Sequence, residues 1–552
     1  MASKLKIIPI GGLNEIGKNL TVYEYGDDIL VVDCGLGFPD EEMYGIDIVI
    51  PDFTYLVQNK NRIRAIVLTH GHEDHIGGLP YLMREVEAPL YTTRLTAGLI
   101  ESKLEEHGLL EKTKIVTLKA GDKFKAGCFE VEFIHVNHSI ADSVALAIKT
   151  PIGTLVHTGD FKIDVSPIDG DMIDLTRFGE LGKEGVLMLL SDSTNVEKPG
   201  YSESESKVGA RFDQLFKDCN KRIIVTTFAS NVHRLQQIIN SAAKYRRKVA
   251  ITGRSMENIM KVSMELGYMD VPKDTLVDIN QINTVPKNKL CIITTGSQGE
   301  SMSALYRMAF SGHRQVEIDA GDRVIISASA IPGNENTVSR VINELFMKGA
   351  EVLYDRLEEL HVSGHACREE LKMIIALTRP KFFMPLHGEQ RHLHTHAAVA
   401  KSMGIPVNNV VIGEIGKIVE VTKKSIKLGG SVPSGKVLVD GTGVGDVGSV
   451  VLRDRRHLAQ DGMLVVIMTL SSEDASLISG PDIVTRGFVY VKESDDLMKE
   501  LRRVTLESIE CCEKNNITDW ATIKTKVKTN LSGYLYKTTK RSPMILPVIM
   551  EV

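Results

Sequence analysis

The sequence lacks the features that mark membrane, secreted and fibrous proteins. Among its 552 residues no apolar run approaches the ~20 residues that a membrane-spanning helix needs. The N-terminal MASKLKIIPI has no signal-peptide core or cleavage site. The seven cysteines include no C-x-x-C pair, which argues against a disulfide framework and against a cysteine-type zinc site. We therefore expect a cytoplasmic protein that is not attached to a membrane.

Composition narrows the class of protein further. Apolar residues make up 43% and charged residues 25% of the chain, which excludes a disordered, collagen-like or coiled-coil protein. The net charge of −5 neither requires nor excludes a nucleic-acid substrate, because an acidic protein can still line a channel with lysine and arginine. One segment is locally basic: residues 520–541 contain six basic and no acidic residues. This segment is either a solvated face or a surface that contacts phosphate.

Two patterns of strands and helices alternate along the chain. Strand patterns such as Leu20–Tyr25 and Phe129–His135, with helical stretches such as Leu95–His107, predict sheets covered by helices in the first part. From about residue 205 to about residue 355, apolar strands alternate with amphipathic helices, which is typical of a βαβ insert with buried parallel strands. Residues 356–425 return to short strands and turns.

The C-terminal part begins after a glycine-rich segment. Residues 428–449 hold seven glycines, which indicates a linker. The remaining residues predict a small α+β domain, with strands near Met463–Thr469 and Gly487–Val491.

The most informative segment is IVLTHGHEDHIGGLP, which starts at Ile66. An apolar strand is followed at once by three imidazoles and a carboxylate, in His70, His72, Asp74 and His75. Imidazole nitrogen and carboxylate oxygen suit Zn²⁺, and Mn²⁺ is also plausible. The alternative is a surface histidine cluster, but H-x-H-x-D-H directly after a strand is a specific pattern that favours a metal site.

Four residues cannot complete the coordination of two metal ions, so further ligands are expected elsewhere. The candidates lie at the ends of other strands: His138 in VNHS, Asp160 in HTGD and His387 in PLHGE. Any one of them alone would more often be a structural or surface residue. Asp33 is expected to orient a ligand from behind.

These motifs together resemble the metallo-β-lactamase fold. The insert between Asp160 and His387 resembles the β-CASP group, which acts on nucleic acids, and Asp192 in SDSTN, His365 in HVSGHA and His387 match its motifs A, B and C. Over its whole length the chain resembles the bacterial ribonuclease J family, through GGLNEIGKN, GFPDEEMYGIDIVIPD, HTGDFKID, HVSGHA and PLHGE.

The resemblance implies an α/β fold class. It predicts a metallo-β-lactamase αββα sandwich with an inserted β-CASP α/β domain and a small C-terminal α+β domain. The expected divisions are residues 1–204 and 356–427 for the metallo-β-lactamase domain, 205–355 for the insert, 428–449 for the linker and 450–552 for the C-terminal domain.

The resemblance also implies a ligand set for two Zn²⁺ ions, with Mn²⁺ or Mg²⁺ as alternatives. One ion would be held by His70, His72, His138 and Asp160, and the other by Asp74, His75, Asp160 and His387. Water activated between two such ions would attack phosphorus and leave a 5′-phosphate and a 3′-hydroxyl. The expected catalytic residues are Asp74, Asp192 and His365. His365 is the candidate general acid for the leaving 3′-oxygen, oriented by Asp192; alternatively, it binds phosphate without proton transfer.

A substrate pocket is expected at the end of the insert strands. SNVHR, which contains Ser230, Asn231 and His233, follows a strand and opens a helix, as phosphate sites do. Simple helix capping is the alternative. In the ribonuclease J family such loops bind the RNA 5′-monophosphate. The expected substrate-binding residues are Ser230, Asn231, His233, Ser327, Ser329, His361, Ser363, Gly364 and His365.

Other signals are set aside. GGLNEIGKN nearly matches a P-loop, but Asn19 lacks the required hydroxyl and a strand pattern follows it. His392, His394 and His396 are expected on a helix surface. Cys34 is expected to pack as a small apolar residue.

The predicted function is that of a metal-dependent ribonuclease with 5′→3′ exonuclease and endonuclease activities, which acts in rRNA processing and mRNA decay. The resemblance implies RNA as partner, a homodimer or tetramer, and association with a paralogue or other RNA-decay enzymes. Three alternatives stay open. They are a weakly active partner subunit, a different metallo-β-lactamase-fold hydrolase acting on thioesters or lactones, and a nuclease whose substrate is DNA.

Overall fold

The computed structural model describes residues 4–40, 42–168, 170–217, 219–300, 303–330, 334–354, 360–472, 475–489 and 495–552. The chain divides into two compact units. The first comprises residues 1–37 and 49–437, and the second comprises residues 38–48 and 438–552.

The first unit opens with twelve strands and five short to medium helices. The strands are β1 (Leu5–Gly11), β2 (Leu20–Tyr25), β3 (Asp28–Val32), β4 (Ile48–Pro51), β5 (Ile63–Val67), β6 (Leu90–Thr92), β7 (Ile115–Thr117), β8 (Lys123–Ala126), β9 (Phe129–His135), β10 (Val144–Thr150), β11 (Gly153–His157) and β12 (Val186–Asp192). The helices are α1 (Thr54–Gln58), α2 (Glu73–Ile76), α3 (Leu79–Leu82), α4 (Arg94–Glu106) and α5 (Leu175–Glu184).

The insert alternates strands with helices, as its apolar pattern predicts. Its elements are α6 (Ser206–Lys217), β13 (Ile223–Thr226), α7 (Val232–Lys244), β14 (Lys248–Thr252), α8 (Arg254–Glu265), β15 (Leu290–Thr294), α9 (Ala304–Ala309), β16 (Arg323–Ile326), α10 (Glu335–Met347) and β17 (Glu351–Tyr354). The strands form a parallel sheet in the order β14-β15-β13-β16-β17. The chain leaves β13 towards one edge of the sheet and leaves β16, the strand beside it, towards the other edge. The carboxyl ends of β13 and β16 therefore flank a crevice of the kind that binds ligands in open α/β sheets.

The chain then returns to the first part of the unit through α11 (Arg368–Thr378), β18 (Phe382–Leu386), α12 (Gln390–Ser402), β19 (Lys417–Val421) and β20 (Ile426–Ser431). The sequence predicted short strands and turns here, with a helix only around His392–His396, so α12 was anticipated and α11 was missed. Helix α11 begins with a capping box in which the Cys367 amide donates to Glu370.

Two sheets pack face to face in this unit. One has the order β20-β19-β1-β2-β3-β5-β6-β7, and the other has the order β18-β12-β11-β10-β9-β8. Strand β1 explains the layering: Leu5 and Ile7 enter the core between the sheets, whereas Ile8 and Ile10 enter the core beneath α3 and α4. This two-residue period buries both faces of the strand. Helices α5, α11 and α12 cover the other sheet, which completes the expected αββα sandwich.

The second unit is a small α+β structure. It contains β22 (Gly443–Val444), α13 (Ser449–Asp461), β23 (Met463–Leu470), β24 (Leu477–Arg486), α14 (Asp495–Lys514), α15 (Trp520–Thr539) and β25 (Met544–Glu551), and it is entered along β21 (Lys436–Asp440). Its sheet has the order β24-β23-β25. Alternate residues of β23, such as Leu464 and Val466, pack against Leu501 of α14 and Val527 of α15.

Two local expectations differ from this structure. The glycine-rich segment predicted as a linker contains the paired strands β21 and β22. The strand predicted near Gly487–Val491 is absent from residues 487–489, because β24 ends at Arg486; residues 490–491 lie outside the described residues. Within the described residues, no helix combines the length and the apolar character that crossing a membrane requires.

Candidate metal centre

Strand ends bring the expected metal ligands together. His70 and His72 follow β5, and α2 carries Asp74 and His75 directly after them. The other three candidates, His138, Asp160 and His387, follow β9, β11 and β18. In space the seven residues form two groups that share one edge of the sandwich.

The first group is a convergence of three imidazoles. The Nε2 atoms of His70 and His138 lie 3.0 and 3.1 Å from Nδ1 of His72. The same two Nε2 atoms each lie 3.8 Å from Oδ2 of Asp160. Ligands of tetrahedral zinc at about 2.0–2.2 Å from the ion are about 3.4 Å apart, so this spacing fits one ion.

The second group adds two carboxylates to two imidazoles. Nε2 of His75 lies 3.2 Å from Oδ2 of Asp160 and 3.5 Å from Oδ2 of Asp74. Nε2 of His387 lies 3.2 Å from the same Asp74 oxygen. Asp160 therefore reaches both groups, as a bridging ligand must.

The outer nitrogens of these imidazoles test whether the cluster suits a metal. Each outer Nδ1 has its own partner: Thr69 Oγ1 at 3.0 Å for His70, Asp33 Oδ2 at 2.8 Å for His75, the Gly364 carbonyl at 2.7 Å for His138 and Thr194 Oγ1 at 3.0 Å for His387. Nε2 of each of these four rings is thereby left towards His72, Asp74 or Asp160. Metal-binding histidines use their other ring nitrogen in this way, so the residues present fit a two-metal centre. The contact from Asp33 confirms its expected orienting role.

Burial and charge act in opposite directions in this cluster. Burial alone would raise the pKa of Asp160, but His387 and His75 hold that pKa well below its usual range. Burial lowers the pKa of His72 to about 4. Burial also opposes the charged form of His387, but Asp160 raises the pKa of that imidazole to about 10. The carboxylates are therefore held in the anionic form that suits a cation, and a cation held by His387 would have to displace its proton.

Asp192 and His365 adjoin the second group. Nδ1 of His365 lies 2.8 Å from Oδ2 of Asp192, and the other Asp192 oxygen accepts from the amide and the hydroxyl of Thr194. Burial would lower the pKa of His365, but Asp192 and Asp160 raise it. The His365 side chain is 19% exposed, so part of it is open to solvent.

Two residues of the site were missed from the sequence. The side-chain amide of Asn19 donates to the backbone carbonyl of Asp74 at 3.1 Å and to its carboxylate at 3.3 Å. Gly35 packs so tightly under this loop that a Cβ there would lie 1.6 Å from the Asp74 carbonyl oxygen. The GGLNEIGKN segment, set aside as a failed P-loop, thus supports a metal ligand. Thr194 was the second residue missed, and it fixes both His387 and Asp192.

The crevice of the insert holds part of the expected substrate pocket. Ser230 follows β13 and is partly exposed, as is Ser329 after β16. Asn231 caps α7 by accepting from the Arg234 amide at 3.0 Å, which is the alternative role considered for it. His233 is partly exposed in the first turn of that helix. Direct contact of these residues with phosphate stays a prediction.

Ser327 is placed differently from its neighbours in the expected pocket. It is fully buried, and its hydroxyl donates to the Leu360 carbonyl at 2.6 Å. Its oxygen also accepts from Arg234 at 2.8 Å. The hydroxyl is thus already used inside the protein, and the position favours a structural role.

The segment after the insert carries the remaining substrate candidates. Nδ1 of His361 is buried and has no hydrogen-bond partner among the described residues. Burial lowers the pKa of His361 to about 3, so its ring is neutral. Ser363 accepts from Asn195 at 2.7 Å, and Gly364 touches the ring of His138.

The expectation for the three histidines of α12 was wrong in two places. His392 and His396 are buried, and His394 alone of the three is exposed. His396 packs edge-on against Phe383, and its Nδ1 lies 3.0 Å from the hydroxyl of Ser193. Alternating residues of a helix do not share one face, so the sequence spacing could not decide burial.

Comparison with known proteins agrees with this architecture. Residues 13–184 match the metallo-β-lactamase superfamily, residues 220–345 the ribonuclease J β-CASP domain, residues 350–410 the Zn-dependent metallo-hydrolase RNA specificity domain, and residues 450–552 the ribonuclease J C-terminal domain. The chain is 42% identical over 549 residues to ribonuclease J2 of Bacillus subtilis, with 99% of each chain covered. The chain belongs to the ribonuclease J family. As a member of the ribonuclease J family, the protein is a metal-dependent ribonuclease.

Other relatives carry the same family name. The chain is 45% identical to ribonuclease J of Thermus thermophilus, covering 99% of this chain and 95% of that one. It is 42% identical to ribonuclease J 1 of Streptococcus pyogenes, covering 99% and 98%. Relatives with different numbers in their names are thus equally similar, so identity does not assign the chain to one paralogue type. A structure from Enterococcus faecalis described as a protein of unknown function shares the fold, with a TM-score of 0.53, 19% identity, and 76% of this chain and 100% of that chain covered.

Proposed function

We propose that the protein degrades RNA from the 5′ end, prefers a 5′-monophosphate, and also cuts internally. The observation that carries this proposal is the position of the Asp192–His365 pair against the seven-residue metal cluster. The chain from His361 to His365 links this pair to the insert, whose crevice holds the candidate phosphate residues. A pocket for one phosphate beside a cleavage site would release one nucleotide at a time.

The metal centre is proposed to hold two Zn²⁺ ions, with Mn²⁺ or Mg²⁺ as alternatives. His70, His72, His138 and Asp160 would hold the first ion, and Asp74, His75, Asp160 and His387 the second. When bound, the ions supply Lewis-acid chemistry that lowers the pKa of water and offsets the charge that develops on phosphate oxygens. The protein orients the ligands through Asp33, Asn19 and the Gly364 carbonyl.

His365 is proposed to protonate the 3′-oxygen as the P–O3′ bond breaks. Asp192 accepts from Nδ1 at 2.8 Å, which fixes the ring and leaves Nε2 to face the leaving group. A general acid of this kind contributes about 10²–10⁴-fold. Asp74 is included in the catalytic set because its carboxylate lies between His75 and His387.

A substrate with an activated leaving group separates proton donation from phosphate binding. p-Nitrophenol leaves without a proton, so His365→Ala should lose about 10²–10⁴-fold on RNA but far less on bis(p-nitrophenyl) phosphate. Equal losses on both substrates would instead indicate that His365 binds phosphate. The Asp192→Asn variant provides a comparison, because it weakens the contact that orients His365 without removing the imidazole.

The 5′-end preference is tested with one RNA in 5′-monophosphate, 5′-triphosphate and 5′-hydroxyl forms. The proposal predicts rapid release of mononucleotides from the monophosphate form alone. Ser230→Ala and His361→Ala should reduce that preference more than they reduce internal cutting. Internal cuts that ignore the 5′ group, with no mononucleotides, would leave only the endonuclease part of the proposal.

RNA is the proposed substrate, and the cytoplasm is the proposed location. The protein is proposed to form a homodimer or tetramer and to associate with a paralogue or other RNA-decay enzymes. The chain's relatives are named ribonucleases, which supports RNA over DNA. Light scattering coupled to gel filtration measures the oligomer, and cleavage of matched RNA and DNA oligonucleotides measures the sugar preference.

A further inference from the structure

Helix α15 carries a concentration of positive charge that the metal centre does not explain. Residues 520–541 contain six basic residues and no acidic residue, in a protein whose net charge is −5. All six side chains are exposed: Lys524, Lys526, Lys528, Lys537, Lys540 and Arg541. The helix buries the stripe Ile523, Val527, Leu531 and Leu535 in the core of the second unit, and its lysines lie along both sides of that stripe. The charge is therefore presented outwards by a well-anchored helix and by the two residues that follow it, of which Arg541 also donates to the Phe488 carbonyl at 3.0 Å.

The neighbouring helix shows that this arrangement is specific to α15. On α14 three of the four cations are matched by nearby carboxylates, with Arg502 the exception: Lys499 by Asp496, Arg503 by Glu500 and Glu507, and Lys514 by Glu510. None of the six cations of residues 520–541 has a carboxylate partner within 4.0 Å among the described residues. These exposed charges are therefore available to an anion from outside the chain.

The rest of the exposed face favours a single-stranded nucleic acid. Tyr536 is 57% exposed, and Lys540 lies 5.4 Å from its ring centroid. Exposed aromatic rings beside cations provide stacking platforms for unpaired bases. Within this fully described helix no other large apolar side chain is exposed, whereas a helix that inserts into a membrane surface needs an apolar face.

We propose that the exposed face of α15 is a second binding surface for RNA, which holds single-stranded RNA by its phosphates and by stacking on Tyr536. The inference rests on the proposed function, because it takes RNA as the substrate. Lys524 and Lys540 are separated by about 24 Å along the helix, enough for several phosphates. Lysine contacts of this kind are independent of sequence and sensitive to salt.

The test uses the full-length protein with Lys524, Lys528 and Lys540 changed to glutamine. For an RNA of about 40 nucleotides the KM should rise about tenfold with kcat unchanged. The slope of log KM against the logarithm of the salt concentration should fall by about 2. For an RNA of about 6 nucleotides, which offers few phosphates beyond those held at the cleavage site, both constants should stay the same. Tyr536→Ala should raise the KM for the long RNA alone. Changing the same three lysines to arginine instead of glutamine keeps their charge and should leave the long-RNA KM at the wild-type value.

The matched control removes three cations from the same unit. Lys499, Arg503 and Lys514 changed to glutamine should leave the long-RNA KM within about twofold, because these cations are already paired. An equal rise in this control, or no rise in the α15 variant, would overturn the inference. Sedimentation with phosphatidylglycerol vesicles that depends on the same lysines, while the long-RNA KM is unchanged, would overturn it in favour of a membrane surface.

A binding measurement separates this inference from the proposed function. Retention of a single-stranded RNA in a native gel requires no cleavage. If the wild type cleaves nothing but retains RNA, and the α15 variant loses that retention while melting at the same temperature, the surface stands although the proposed function fails. If both proteins retain RNA equally, the surface is wrong whatever the cleavage result.

Discussion

The ring of His138 is oriented by a backbone carbonyl, and this explains why glycine occupies position 364. Nδ1 of His138 lies 2.7 Å from the Gly364 carbonyl oxygen. A Cβ at this position would lie 2.7 Å from Nδ1 and Cε1 of the same ring and 2.8 Å from the Ser139 amide nitrogen. These distances are too short for any side chain, so the ring would have to move.

We therefore expect Gly364→Ala to weaken metal binding. Loss of the orientation of one histidine ligand should lower metal affinity by about 10–100-fold and activity with it. Competition with a fluorescent metal chelator measures the affinity directly. Gly435→Ala is the matched control, because a Cβ at Gly435 meets no atom within 4 Å. Unchanged metal affinity in Gly364→Ala would contradict this account of the site.

At the residue scale, metal ligands that are close together in the sequence are easier to predict than the side chains that hydrogen-bond to them. His70, His72, Asp74 and His75 could be recognised because one turn holds them all. Asn19 could not, because its contact with Asp74 joins residues 55 positions apart and depends on the packing of β2 and β3. Thr194 likewise meets His387 across 193 positions. Which hydroxyl or amide stands behind a ligand is decided by the fold.

At the element scale, Arg234 ties the insert to the segment that carries His361. Its guanidinium is fully buried and pairs with both oxygens of Glu205, just before α6. It also donates to the carbonyl and hydroxyl of Ser327 and to the Leu360 carbonyl. One side chain thus joins the entrance and the exit of the insert.

Replacing Arg234 with methionine should destabilise the protein by about 3–5 kcal/mol, because Glu205 would remain buried without its partner. Differential scanning calorimetry should show a lower melting temperature, and kcat/KM for RNA should fall as His361 shifts. Arg254→Met, at an exposed position that starts α8, is the control and should be nearly neutral. A variant as stable and active as the wild type would show that the pair does not hold the insert.

A second ion pair joins β9 to α5 and predicts a pH dependence. Arg177 contacts both oxygens of Glu132, at 2.7 and 3.1 Å. Burial opposes ionisation, but hydrogen bonds from Arg177 and Lys123 lower the pKa of Glu132 below its usual value. A lowered pKa stabilises the fold above the unfolded-state pKa of about 4.3, and this contribution is lost as pH falls through the folded-state value.

Glu132→Gln should therefore cost about 2 kcal/mol near pH 7 and progressively less below about pH 4. Thermal melts of wild type and variant across this range measure the difference. Glu130 lies on the same strand as Glu132 and pairs with Lys149 of β10 at the surface, so Glu130→Gln should have little effect at any pH. A difference that is constant with pH would show that the charge of Glu132 is not involved.

Elements were predictable where their pattern is strong. The bounds of Leu20–Tyr25 and Phe129–His135 were predicted to the residue, because apolar runs there end at turn residues. Helix α11 was missed because its glutamates and buried leucines follow a short loop without a long apolar period. Paired strands within residues 428–449 were also missed, since glycine-rich sequence gives no strand signal.

At the scale of the whole molecule, neither of the two units is a single continuous segment of the chain. Residues 38–48 belong to the unit formed mainly by residues 438–552. Arg455 of α13 donates to the Tyr44 carbonyl at 2.9 Å, which anchors this segment within its unit. No local pattern predicts such a contact between residues 411 positions apart. The sequence boundaries of the domains therefore stay predictions.

Metal removal should destabilise the first unit. A ligand that binds only the folded state at about 100 times its Kd adds about 2.7 kcal/mol of stability. Excess chelator should thus lower the melting temperature by a few degrees, and Zn²⁺ or Mn²⁺ should restore it. The His72→Ala, Asp74→Ala double variant should melt at the same temperature with and without chelator. A chelator effect that survives in the double variant would place the metal elsewhere.

The central claim is that the His/Asp cluster cleaves RNA. The most direct measurement follows mononucleotide release from one 5′-monophosphate RNA by wild type, by the His72→Ala, Asp74→Ala variant and by His394→Ala, whose histidine is exposed on α12 outside the cluster. The account predicts equal release by wild type and His394→Ala, and a loss of at least about 10³-fold in the double variant. RNA that is bound but left intact by the wild type would contradict the claim and indicate a partner subunit instead.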